Sequence, residues 1–224
     1  SPGISVSPNP LNFGYVPVSS TGTATMTVSS TGTSNLVVNN AYLQNETYFF
    51  IINNCSTVPP GSTCTIDVDF SPAAGISYSD VLYIDTNDGL KSYNITGAGA
   101  VPVVSTSTAS LDLGNWNIDT PVGSLFTVSN TGQDDLVISS VTITGTAFTV
   151  GDDCTTLTPS STCKVNVNTA TTTTGSHSET LTINSNDPVT PAKTVAITAS
   201  AFVLLEWNEY EAIREEPLDR IFKN

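Results

Sequence analysis

Apolar and polar residues alternate with a period of two along most of this chain. Ala24, Met26 and Val28 fall on one side of such a run and Thr25 and Thr27 on the other. Ser-Thr-Gly then interrupts it before Leu36 and Val38 resume the pattern. Ile66, Val68 and Phe70 follow, then Leu82 and Ile84 against Val81, Tyr83 and Asp85, then Tyr93 and Ile95. Successive side chains of an extended strand point to opposite faces, so each run predicts a strand with one buried face. About seven such strands, at spacings of roughly 8 to 12 residues with turn residues between them, predict a two-sheet sandwich.

The pattern occurs twice. LNFG (Leu11 to Gly14) returns as LDLG (Leu111 to Gly114), MTVSSTGTSNLVV (Met26 to Val38) as FTVSNTGQDDLVI (Phe126 to Ile138), and DVLYIDTND (Asp80 to Asp88) as ETLTINSND (Glu179 to Asp187). A repeat of about 100 residues is a tandem of whole domains, because a unit that long closes a core by itself. The 224 residues therefore divide into sandwiches over 1–100 and 101–201 and a non-repeating segment over 202–224. One departure breaks the match. FSPAAG (Phe70 to Gly75) is answered by NTATTTTG (Asn168 to Gly175), so the second core lacks that Phe and is expected to pack less well at that end.

The four cysteines form two local pairs, CSTVPPGSTC (Cys55 to Cys64) and CTTLTPSSTC (Cys154 to Cys163). The Pro-Pro-Gly of the first turn brings two Cα atoms to the 5 to 6 Å or so that a disulfide needs. A thiolate metal site favours C-x2-C over this C-x8-C spacing, and two pairs in separate domains do not easily converge on one ion. Bridges Cys55–Cys64 and Cys154–Cys163 are expected, each a structural staple between successive strands. They imply an oxidising compartment, secreted or at the cell surface.

The ordered strings SPNPLNFGYVPV, VSSTG, CSTVPPGSTCTIDVDFSP, LTINSNDP and NITGAG resemble the immunoglobulin-like repeats of the choice-of-anchor D and abnormal-spindle/Hydin type, over nearly all of residues 5 to 200. The resemblance implies immunoglobulin-like sandwiches; with the non-repeating segment added, an all-β chain of two tandem immunoglobulin-like β-sandwiches with a short C-terminal strand or helix extension is expected. It also implies a spacer and interaction module, a class used in many contexts, so it specifies fold better than function.

Six Lys+Arg against twenty Asp+Glu leave a formal charge of −14. That excludes a basic footprint for nucleic acid or an anionic bilayer. No run of 18 or more apolar residues predicts a membrane-spanning helix, and no signal-peptide core precedes Ser1, as in a processed mature chain. The sole histidine, His177, is expected in a loop. Ser176, Ser178 and Glu179 flank it, but adjacent strand residues point apart and do not build a triad. Asp67 and Asp69 alternate with apolar residues and read as a solvated face; Asp134/Asp135 and Asp152/Asp153 read as turns. DTNDG (Asp85 to Gly89) is one residue short of the EF-hand spacing and lacks the distal Glu. No nucleotide, hydrolase, zinc or haem motif is present, so no enzyme, metal or cofactor is expected. Sequons stand at Asn45, Asn54 and Asn94.

The C-terminal segment has a different character. Phe202, Val203, Leu204 and Leu205 form an apolar run placed where a third domain's first strand would begin. In EWNEYEAIREEPLDRIFKN, Asn208 with Glu211 reads as a capping box, and Trp207, Tyr210 and Ile213 form a narrow helical stripe. Ile221 and Phe222 follow Pro217. A helix this short is marginal alone, so these residues need a surface to pack on. The expected function is a non-enzymatic extracellular structural protein, a subunit or decoration of a cell-surface filament or layer. Its partners are other protein subunits, with head-to-tail self-association between this tail and Ser1 to Val6. The alternatives are an adhesin or glycan-binding module, tested at Trp116, and a periplasmic chaperone, for which the sandwiches offer only Lys91, Lys164 and Lys193 as cations.

Overall fold

The computed structural model describes residues 1–204, and no helix occurs among them. Contacts group the chain into unit 1, Ser1–Val103 with Thr131–Asp135, and unit 2, Val104–Asn130 with Leu136 onward. The first repeat contains β1 (Ile4–Ser7), β2 (Leu11–Pro17), β3 (Gly22–Ser30), β4 (Leu36–Leu43), β5 (Phe49–Asn53), β6 (Thr57–Val58), β7 (Thr63–Phe70), β8 (Ser77–Thr86) and β9 (Gly89–Ala100). They form a four-stranded sheet, β1-β3-β7-β5, and a five-stranded sheet, β2-β9-β8-β4-β6. Every pair is antiparallel except β2 with β9.

The second repeat contains β10 (Val104–Thr106), β11 (Ser110–Asn117), β12 (Gly123–Asn130), β13 (Leu136–Ile143), β14 (Phe148–Asp152), β15 (Thr156–Leu157), β16 (Thr162–Thr169), β17 (Gly175–Ser185) and β18 (Ala192–Phe202). Its sheets are β10-β12-β16-β14 and β11-β18-β17-β13-β15, the same topology. The period-two pattern showed about seven strands per repeat and the structure has nine. Part of the excess is β6 and β15, each two residues long and too short to carry a period.

The alternation lands as the pattern predicts. Met26, Val28, Ile66, Val68, Leu82, Ile84 and Ile95 are fully buried in the first core, and Val128, Val165, Val167, Leu181, Ile183 and Ile197 in the second. Each such side chain contributes about 1.5 to 3 kcal/mol of burial free energy. The repeated Thr-Gly of the SSTG and SNTG strings has a steric cause. A Cβ on Gly32 would lie 2.3 Å from the Ser1 carbonyl oxygen, and one on Gly132 2.3 Å from that of Val101. In both places the leading segment crosses the turn and is held by it: Thr31 and Thr33 N–H donate to Gly3 and Ser1, and Thr131 and Gln133 N–H donate to Val103 and Val101.

The second core lacks the phenylalanine and carries a larger side chain on another strand. Phe49 pairs with Phe70 across β5 and β7, whereas Phe148 pairs with Thr169 across β14 and β16, so Thr169 holds the place of Phe70. On β11, Trp116 takes the position of Val16: Val16 pairs with Gly99, and Trp116 with Ala201. Trp116 is 2% exposed and belongs to the second core, while the Thr169 hydroxyl serves the Val122 backbone. Looser packing is the expectation at this end; there the larger Trp116 packs its ring on His177, the counterpart of Tyr78 that packs on Phe70 in the first core.

Candidate functional site

Cys55 is bonded to Cys64, and Cys154 to Cys163, with Cα atoms 5.3 and 5.1 Å apart. Each ring does more than pin successive strands. β5 and β7 belong to the four-stranded sheet, yet the residues between them cross to the other sheet, where Thr57 and Val58 pair with Val37 and Leu36. Val58 is buried at the bottom of the ring. Thr156 and Leu157 do the same against Val137 and Leu136. Each cystine therefore closes a loop that laces the two sheets together. Asp153, Cys154 and Cys163 lie close enough to hold a metal ion, but both sulfurs are in the disulfide and supply no thiolate.

Phe202 does not begin a new element. It ends β18, pairing with Asn117 of β11, and its carbonyl accepts from Ile118 N–H. Its partners on the β17 side stop at Gly175, which pairs with Ala201. Phe202, Val203 and Leu204 are 40%, 43% and 66% exposed, whereas Ala100, the residue at the Phe202 position in the first repeat, is 2% exposed. Leu205, Trp207, Tyr210, Ile213, Ile221 and Phe222 lie outside the described residues. At the other end, β1 pairs only with β3 among the described strands, so one edge of Ile4–Ser7 faces outward.

His177 sits on β17, opposite Ala199 of β18, and not in a loop. Its Nε2 meets the Thr173 carbonyl oxygen at 2.9 Å and its ring packs on Trp116 with centroids 5.8 Å apart. Glu179 is engaged elsewhere, accepting from Ala147 N–H at 2.7 Å, so the three groups of a triad are not assembled. Asp67 and Asp69 accept hydrogen bonds from Thr25 and Thr23 across β3 and β7. In DTNDG, Asn87 and Asp88 form a two-residue hairpin turn. Asn87 Oδ1 accepts from Val37 N–H beside the bulge in β4, Asn186 repeats that bond with Val137, and Asp88 pairs with Lys91 at 3.4 Å.

Three features escaped the sequence reading. Asp187 is 2% exposed and accepts from the N–H groups of Val104, Val189 and Thr190. Burial pushes its carboxyl up, but those three donors and nearby Lys193 outweigh it and hold the group below the ordinary carboxylate range. Burial alone raises the Tyr93 phenol. The third feature is on the outer face of the five-stranded sheet of the first repeat. Tyr42 and Tyr83, register partners on β4 and β8, stack with centroids 5.3 Å apart and planes 22° from parallel. Trp116, where the sequence places the test of a glycan-binding role, is core, and Tyr48 packs on Tyr78. The signal for the Tyr pair was present in the alternation, since Tyr83 falls on the polar side of β8, but its partner depends on strand register.

A groove of about 470 Å³ opens beside this pair, lined by Gln44, Asn45, Ser79, Asp80, Val81 and Asn94 among others. Two smaller grooves of about 450 and 330 Å³ lie in matching places of the two repeats, beside the β2/β9 and β11/β18 bulges that Gly14 and Gly114 form. Asn45, Asn54 and Asn94 are all exposed. No helix among the described residues is long and apolar enough to cross a membrane.

Comparison with curated protein sequences returned no match. Among solved structures, a protein of unknown function from Porphyromonas gingivalis W83 is similar over 88% of this chain and 99% of its own, at 16% identity and a TM-score of 0.42. The secreted serine protease VesC of Vibrio cholerae is similar over 75% of this chain and 46% of its own, at 12% identity and 0.38. The ASH/PapD-like domain 7 of human CEP192 is similar over 47% of this chain and 89% of its own, at 13% identity and 0.40. The family model of the HYDIN/CFA65/VesB-like Ig-like domain matches residues 2–100 and again 102–200, so the chain belongs to that family, as a tandem of two such domains.

Proposed function

We propose that the chain is a non-enzymatic structural module of an extracellular assembly, a subunit or decoration of a cell-surface filament or layer that associates through its terminal segments. Membership in an Ig-like domain family supports a structural or binding role without catalysis. Two disulfides favour an oxidising environment. The observation that carries the reading is the apolar run at the end of β18. Phe202, Val203 and Leu204 stand 40%, 43% and 66% exposed. Covering each contributes up to about 1.5 to 3 kcal/mol, which favours a protein surface over water. The outward edge of β1 is the acceptor, because its N–H and C=O groups, without a strand partner among the described residues, take an added strand. A contact between unlike ends is heterologous, and it propagates unless rotation closes it into a ring.

The test is light scattering and electron microscopy on the full chain and on Val203→Asp/Leu204→Asp. Cutting at Ser200 is unsuitable, since it removes Ala201, which is buried and paired with Trp116. The wild type is expected to gain mass with concentration and form end-to-end assemblies, and the double variant to stay monomeric. Equal monomer masses across a wide concentration range would overturn the reading.

A further inference from the structure

We propose that the outer face of the five-stranded sheet of the first repeat binds a neutral polysaccharide, with Tyr42 and Tyr83 as its stacking platform. Along β8, the residues facing outward are Ser79, Val81, Tyr83 and Asp85, alternating with buried Asp80, Leu82, Ile84 and Thr86. Tyr42 stands opposite Tyr83, and Asn94 opposite Val81. Gln44, Ser79 and Asn94 are exposed at the rim of the groove, and Tyr42 is 39% exposed.

The chemistry selects the ligand class. Aromatic rings offer flat apolar faces to the C–H faces of pyranose rings, and amide and hydroxyl groups donate to and accept from sugar hydroxyls. One carboxylate lines the groove, Asp80, which is buried and already accepts from the N–H groups of Asn45 and Val81, and the other outward lining groups are uncharged; Asp85 stands farther along β8, where Asn39 contacts it at 3.4 Å. A neutral ligand suits them better than an ionic one. A peptide is disfavoured for a different reason. β8 and β9 are interior strands, with backbone groups engaged by β4 and β2 on their outer sides, so a peptide main chain cannot add to the sheet there. Recognition must run through side chains. The groove volume of about 470 Å³ lies in the range of small-molecule sites and accommodates a short run of sugar rings.

The second repeat is an internal control. Its fold and register are the same, but Thr142 pairs with Thr182 where Tyr42 pairs with Tyr83, and Thr180 pairs with Ala196 where Val81 pairs with Asn94. Thr144 stands where Gln44 does, each donating its N–H to the β17 or β8 carbonyl at the equivalent position. The sandwich therefore folds without the aromatic pair and the amides, and folding is not the reason for them.

The test is affinity electrophoresis of the full chain through gels holding soluble β-glucan, α-mannan, xylan, dextran or the anionic polymer alginate. The protein is produced without N-glycosylation, because Asn45 and Asn94 of the groove stand in sequons. Retardation by at least one neutral polymer is expected, weakened at least tenfold in Tyr42→Ala/Tyr83→Ala. It is retained in Tyr42→Phe/Tyr83→Phe and in Thr142→Ala/Thr182→Ala. Circular dichroism checks that each variant is folded. Passage through every neutral gel without retardation, binding to alginate alone, or equal retardation of the Tyr→Ala variant would each overturn the proposal.

Discussion

Gly97 lies beneath the ring of Phe70 so closely that a Cβ on that glycine would come within 2.6 Å of the ring. The second repeat changes both members together: Thr169 stands for Phe70 and Ala199 for Gly97, with Trp116 in place of Val16. Phe70 also packs against Phe13, Phe49 and Tyr78, so little room exists for it to shift. Gly97→Ala is expected to destabilise the first unit by about 1 to 3 kcal/mol through overpacking. The converse change in the second unit, Ala199→Gly, creates no clash and should cost about 0.5 to 1 kcal/mol of chain entropy. Urea unfolding of each single variant measures both. Equal effects would show that the ring does not constrain Gly97.

The same pair shows how far the sequence could be read. Alternation located the core strands and the repeat, because burial on one face imposes a period of two. The missing Phe was equally plain, as a break in the match between FSPAAG and NTATTTTG. The accompanying exchange of Val16 for Trp116 was not, because Trp116 stands on β11, more than 50 positions earlier in the chain, and strand register alone relates the two. Tyr42 and Tyr83 escaped for the same reason. Asp187 escaped because its donors come partly from Val104, on a strand distant in sequence. Local pattern reveals faces, whereas sites made between strands depend on pairings that no single window contains.

The cystine loops give a second measurable difference. Removing the ten-residue ring with Cys55→Ala/Cys64→Ala is expected to lower the stability of the first unit by about 2.5 to 3 kcal/mol on the loop-entropy estimate. Because the ring segment pairs with β4 of the other sheet, amide exchange should rise at Val38, whose N–H donates to the Ser56 carbonyl, as well as at Val58. Peptide mapping without reduction is expected to recover Cys55 joined to Cys64 and Cys154 to Cys163. A peptide joining Cys55 to Cys154, or protection unchanged at Val38 in the variant, would contradict this account.

Within these rings the two repeats differ at one strained position. Gly61 and Ser160 both have left-handed backbones, with φ of 77° and 68°. Both donate N–H to the residue that ends the preceding long strand, Ser30 or Asn130, so the conformation is held by the same bond. A residue with a Cβ is disfavoured there by about 1 to 2 kcal/mol, and glycine is not. After the entropic penalty of glycine is subtracted, Ser160→Gly should stabilise the second unit by up to about 1 kcal/mol, and Gly61→Ser should destabilise the first by a similar amount. Melting of Ser160→Gly below the wild-type temperature would show that the Ser hydroxyl contributes more than the backbone costs.

Asp187 makes the second unit sensitive to acid. Its carboxylate accepts from Val104, Val189 and Thr190 and lies near Lys193, which together hold its folded pKa below the ordinary value despite burial. The unfolded chain then binds a proton at a higher pH than the folded one. Stability from this group is complete above the ordinary carboxylate pKa of about 3.9 and falls as pH drops through the folded value. In Asp187→Asn one oxygen still accepts from Val189 and Thr190, but the new NH2 group faces the Val104 N–H and leaves it buried without an acceptor, at a cost of about 1 to 3 kcal/mol near neutral pH. The variant has no proton to take up at this position. The stability gap between wild type and Asp187→Asn should therefore be widest near pH 6 and shrink toward pH 3. Urea titrations at pH 3, 4, 5 and 6 on both proteins measure it, and a gap constant across that series would remove Asp187 as the acid-sensitive group.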